Sequence, residues 1–163
     1  MDKALFMKYF TARLSMGKTM PVMSVGNSMF PALRENDTLI IKSQNQYEIG
    51  DILLYEYKDE GMLTHRLLMI DGDKYYCKGD NSYRLEEISK EDIYGRVIYA
   101  VRNEEKIELI CPPELPRDSL EIHYCLQKLN YDRQSLWESS SYQAYYHKYL
   151  EIHEEDEYEN DKE

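Results

Sequence analysis

Three side chains of this sequence could together do nucleophilic chemistry. Ser28 stands in "SVGNSMFPAL", just past a short apolar run over residues 20–25, with Gly26 before it and Pro31 after it. His65 sits at the centre of "LTHRLL", and Asp80 lies in "KGDN". A serine hydroxyl is a weak nucleophile at its own pKa and needs a neighbouring base, itself best oriented by a third group. Histidine suits the base role, because its unperturbed pKa lies close to neutrality. Each residue also has a plain structural reading. Ser28 could cap a helical turn before Met29-Phe30-Pro31, His65 could be a satisfied strand histidine, and Asp80 could be a turn residue before Asn81. Residue types and spacing leave both readings open.

The elements that must position these residues read as short strands joined by tight turns. "DTLIIK", "DILLYEY", "MLTHRLLMI", "DKYYCK", "IYGRVIYAV" and "KIELI" follow one another with no helix between them. That succession predicts a mainly β, largely antiparallel domain. Asp71-Gly72 between apolar runs is a hairpin signal of the type I′ kind. Ahead of the strands, Phe6, Phe10 and Leu14 recur at helical spacing over residues 3–16, and Gly17 ends the pattern. This predicts a helix packed on the domain. Its basic residues Lys3, Lys8 and Arg13 also fit a peripheral membrane contact, which is the less favoured reading because Arg13 falls within the apolar stripe.

Pro112, Pro113 and Pro116 mark a boundary. The expected organisation is a β domain with its N-terminal helix over residues 1–111, a helical extension over 112–150, and an acidic disordered tail over 151–163. Within the extension, helices are expected over residues 119–129 and 134–150, the second carrying Tyr142, Tyr145, Tyr146 and Tyr149. The tail, rich in carboxylates and poor in apolar groups, cannot bury enough surface to offset its ordering entropy.

Composition narrows the function classes. The 163 residues are 42% hydrophobic, enough for one domain with a core. No stretch approaches the ~20 apolar residues that cross a bilayer, and the N-terminus has no secretory pattern, which predicts a cytoplasmic protein. Cys77, Cys111 and Cys125 form no Cys-x-x-Cys pair and fit reduced thiols. A net charge of −11 argues against nucleic acid as a partner. "DGDKYYCKGDNS" offers Asp71 and Asp73 to a calcium loop but places Ser82 where a glutamate is needed. His123 and Cys125 have no matching pair for zinc. No cofactor is expected.

Taken together, "VGNSMFPAL", "ENDTLIIK", "EIGDILLY", "LTHRLL", "YCKGDN" and "DIYGRV", in that order, resemble the signal peptidase I and SOS-repressor peptidase superfamily over more than half the chain. The resemblance implies twisted, partly coiled antiparallel sheets with a nucleophilic serine at the edge of a substrate cleft. It makes Ser28 the acylating residue. His65 falls where many members have a lysine, which is similar to the Ser-His branch of the signal peptidases. In that branch the aspartate matching Asp80 is required, and a second carboxylate follows shortly after. Glu86 stands there, a glutamate where aspartate is usual. Asp51 looks structural.

Gly26 departs from the branch, which has a serine at that position to help the oxyanion hole. The oxyanion would then be met by the Ser28 backbone N–H and another donor such as Asn27. A repressor is not the expected reading, because the roughly twenty residues before the matched blocks hold neither Ala-Gly nor Cys-Gly to be cut. The resemblance therefore implies a soluble serine endopeptidase, with no membrane anchor, that matures a peptide or protein precursor. Its substrates would be bound extended, with small residues before the cut. The competing reading is an inactive peptide- or protein-binding module on the same fold.

Overall fold

The computed structural model describes residues 2–128, with side chains to Tyr124. Helix α1 (Lys3–Ser15) opens the chain, capped by the Asp2 carboxylate, which accepts from the Ala4 N–H at 3.3 Å. Gly17 ends it with a positive φ of 74°, as the glycine signal implied. Strands β1 (Met20–Met23), β2 (Thr38–Lys42), β3 (Ile52–Glu56), β4 (Met62–Asp71), β5 (Lys74–Lys78), β6 (Glu86–Ser89), β7 (Ile93–Arg102) and β8 (Glu105–Ile107) follow, then helix α2 (Leu115–Lys128). Short 3₁₀ turns at Lys58–Glu60 and Lys90–Asp92 lead into β4 and β7.

All strand pairs are antiparallel, in the order β1-β2-β7-β3-β4-β5-β6, with β8 on β7. The mainly β expectation holds. Register shifts at Ile40/Ile41, Leu54/Tyr55 and Leu67/Met69 bend the strands and curl the sheet.

The sheet is covered on both faces, and β3 shows why. Its run Ile52-Leu53-Leu54-Tyr55 is buried throughout. Ile52 and Leu54 join one core with Phe10 and Leu14 of α1, Leu39, Ile41, Val97 and Ala100. Leu53 and Tyr55 point the other way into a second core with Leu67, Cys77 and Ile88. Alternation along a strand sends neighbours to opposite faces. That rule decides the layout of the site.

Three details differ from the sequence reading. The β4–β5 hairpin pairs Asp71 with Lys74, so its loop is Gly72-Asp73, one residue later than expected. Only Gly72 has a positive φ there, the pattern of a II′ turn. Strand β6 was not expected at all. Helix α2 begins at Leu115, earlier than residue 119, with Pro116 inside its first turn, where the missing N–H costs nothing. The expected helix over 134–150 and the tail over 151–163 lie outside the described residues. Among the described residues, no helix is long and apolar enough to cross a membrane.

Candidate active site

Ser28 sits in the turn after β1. Gly26 opens that turn with a φ of 76°, a conformation that favours glycine. Met29 and Leu33 then plunge into the first core and anchor the turn from below. From the other side the turn is clamped by the "KGDN" block. The Asn81 N–H donates to the Ser28 carbonyl at 2.8 Å, and the Asn81 amide donates to the Asn27 carbonyl at 3.0 Å. The Asp80 N–H meets the Met29 sulfur at 3.4 Å.

Gly79 supplies the room for this approach. A Cβ there would lie 2.6 Å from the Ser28 carbonyl oxygen and 3.1 Å from Cδ2 of His65. The block thus positions the serine turn chiefly through its backbone and through Asn81, which composition did not single out.

His65, on β4, is buried, and both of its ring nitrogens are engaged. Nε2 lies 3.0 Å from Ser28 Oγ. Nδ1 contacts Glu86 Oε1. Tyr55 on β3 donates its hydroxyl to the same Glu86 oxygen at 3.1 Å and lies 3.3 Å from Nδ1. Burial, with the Cys77 thiol and Glu86 beside it, holds the Tyr55 hydroxyl protonated far above the ordinary tyrosine range. Glu86 is fully buried. Its Oε2 has no hydrogen-bond partner, and Arg84 Nε lies 3.8 Å from it.

Asp80, offered by residue type as a group to orient His65, is paired with Arg66. Its carboxylate accepts from Arg66 Nε at 2.9 Å and Nη2 at 2.8 Å, a buried fork-to-fork pair. Strand alternation supplies the reason. His65 and Arg66 are neighbours on β4 and point to opposite faces. On the His65 face, Leu67 pairs with Cys77 and Cys77 with Glu86, so Glu86 is delivered to the imidazole. On the other face Arg66 pairs with Lys78 and takes Asp80 with it. The carboxylate facing the histidine is therefore that of Glu86. Arg66 also donates to the Gly50 carbonyl at 2.8 Å, tying the start of β3 to this cluster. Asp51 accepts from the Glu48 N–H at 2.9 Å, a turn contact.

Lys78 completes the Arg66 face. It is fully buried and donates to Ser119 Oγ of α2 at 3.0 Å. Burial lowers its pKa to about 8, against the opposing pull of Asp80 and Glu86. Asn27, expected near an oxyanion, is exposed; its carbonyl is used by Asn81 and by the Phe30 N–H at 3.2 Å.

A curled antiparallel sheet with a serine turn at its edge is consistent with the superfamily that joins signal peptidases and SOS repressors. The chain belongs to the Peptidase S24-like family, whose model matches residues 8–98, more than half of its length. That span holds Ser28, His65, Asp80 and Glu86. Comparison with curated proteins gives no match.

Proposed function

We propose that this protein is a serine endopeptidase in which Ser28 is the nucleophile, His65 the general base and Glu86 the carboxylate that orients it. The observation that carries this reading is the 3.0 Å approach of Ser28 Oγ to His65 Nε2, with the opposite ring nitrogen set against a buried carboxylate. Glu86, an acceptor, keeps the neutral imidazole protonated on Nδ1. Nε2 is then the free base that faces the hydroxyl.

As Oγ bonds to the scissile carbonyl carbon, its proton passes to Nε2. The imidazolium so formed is stabilised by Glu86. The carbonyl oxygen takes up the negative charge. The Ser28 N–H is one candidate donor for it, and Asn27 is the candidate for a second. Collapse of the tetrahedral intermediate breaks the C–N bond, and Nε2 returns the proton to the leaving amine. Water, activated by the same nitrogen, resolves the acyl-enzyme. Asp80 acts through Arg66 and through the clamp on the serine turn, without touching the reacting atoms. The substrate class is an extended peptide or protein precursor.

The test uses the full chain with a peptide library and a fluorophosphonate probe, followed by mass spectrometry. Ser28 should carry the label, and Ser28→Ala should lose about 10⁶ in turnover while keeping the wild-type melting curve. Cleavage by Ser28→Ala at the wild-type rate would sink the proposal. A wild-type chain that binds peptide yet neither cleaves it nor takes the label would make the protein a binding module.

A further inference from the structure

Proton transfer through His65 depends on the charge balance of the pair it forms with Glu86, and groups outside that pair set this balance. Tyr55 donates to Glu86 Oε1, the oxygen that also faces His65 Nδ1. Arg84 reaches toward Glu86 Oε2 from the loop before β6. Arg84 is itself fixed. Two of its nitrogens bond both oxygens of Glu60 at 2.6 and 2.7 Å, and its guanidinium lies 4.9 Å from the Tyr57 ring centroid. The result is a continuous chain from an exposed carboxylate to the imidazole: Glu60, Arg84, Glu86, His65.

We infer that Tyr55 and Arg84 are positioning residues that hold the Glu86 carboxylate against His65 Nδ1 and stabilise its charge, so that the imidazole presents Nε2 to Ser28. The inference rests on the peptidase reading for its consequence in catalysis, and on geometry for its substance. Burial disfavours the charge of a carboxylate, and Oε2 of the buried Glu86 has no hydrogen-bond partner. A hydroxyl donor at one oxygen and a cation near the other both stabilise the unprotonated form. Since the two sites share one proton, proton uptake belongs to the pair, wherever the proton resides.

The other groups facing the pair fit this balance. Cys77 on β5 is held as a neutral thiol by burial and by Glu86. Lys78, on the opposite face of the same strand, adds a weaker positive field that reaches Glu86. Lys58 and Glu60 lie at the exposed end, where water screens them.

The test is an NMR titration of the full chain in a Ser28→Ala background, following the His65 ring and the Glu86 carboxyl carbon together. This readout needs no peptidase activity. Tyr55→Phe should move the midpoint of proton uptake up by about one pH unit, the effect of one hydrogen bond to a charged group. Arg84→Met should move it up by about half a unit, less because its charge is part-exposed and shared with Glu60. Arg84→Lys, which keeps the charge, should fall back toward the Ser28→Ala parent. Loss of packing alone would lower stability without this ordered set of shifts. An unmoved midpoint in Tyr55→Phe overturns the Tyr55 assignment, and equal shifts in Arg84→Met and Arg84→Lys overturn the charge assignment. If Tyr55→Phe does not fold, the Arg84 pair decides. Should the shifts appear in a chain with no peptidase activity, the inference stands and the peptidase reading fails.

Discussion

Removing Lys78 tests the electrostatics of the face opposite the histidine. The Lys78 ammonium is buried against α2, and its pKa is lowered to about 8, where an unfolded lysine titrates near 10.4. The sign follows from proton counts. Near neutral pH both states hold the proton, so stability does not depend on this group's titration. Between pH 8 and pH 10.4 the unfolded chain still binds the proton and the folded one does not. Stability must therefore rise with pH across that window. Integrating from about pH 7.5 to about pH 10 gives a gain on the order of 2 kcal/mol from this side chain alone.

The assay is urea unfolding of wild type and Lys78→Met at several pH values across that window. The quantity of interest is the wild-type stability minus that of the variant, which removes the contribution of every other titrating group. That difference should climb by about 2 kcal/mol. Two parallel stability curves would refute the reasoning and show that water or a relaxed side chain keeps the ammonium solvated.

Other expectations concern the site itself. Glu86→Gln should leave the fold intact and lower kcat by about 10⁴, the cost of a mis-set tautomer in a Ser-His-carboxylate site, as measured with the best library peptide. Asp80→Ala should destabilise the chain by about 3–5 kcal/mol, because it leaves the buried Arg66 charge uncompensated. Whatever activity the folded fraction retains should keep the wild-type pH profile, and a displaced profile would return Asp80 to the histidine. Gly79→Ala forces a methyl against the Ser28 carbonyl. It should cost about 1–3 kcal/mol and depress Ser28 labelling more than it depresses melting temperature.

Much of this fold was legible because β2, β3, β4, β5 and β7 carry apolar runs long enough to read, and α1 ends on a glycine that holds the positive φ it signals. The serine–histidine approach was legible only as residue types and as family order. Strand β6 was not legible, for a physical reason. Of its residues Glu86, Glu87, Ile88 and Ser89, the inward positions are Glu86 and Ile88, and a buried glutamate breaks the alternation that marks a strand. The position that hid the strand is the one that faces His65. Asp80 ranks ahead of Glu86 in the sequence reading because the resemblance asks for an aspartate in "KGDN" and Glu86 is a glutamate where aspartate is usual; family order carries no information about strand faces. Only the register, Arg66 against Lys78 and Cys77 against Glu86, assigns each carboxylate to its side. Pro116 read as a boundary, although the first turn of a helix accepts proline.

The long sequence separations within the site carry a consequence for synthesis. The serine is made first, its histidine 37 residues later, and the carboxylate 21 residues after that. The clamp on the serine turn, from Asn81 to Asn27, closes a span of 54 residues. A ribosome-bound chain that has emerged only through β5 has the serine and the histidine but neither the orienting carboxylate nor the edge strand that carries it. On the peptidase reading, reactivity at Ser28 is a late property of the growing chain, because β7, which joins the β1–β2 pair to the strands that carry His65, is made after β6.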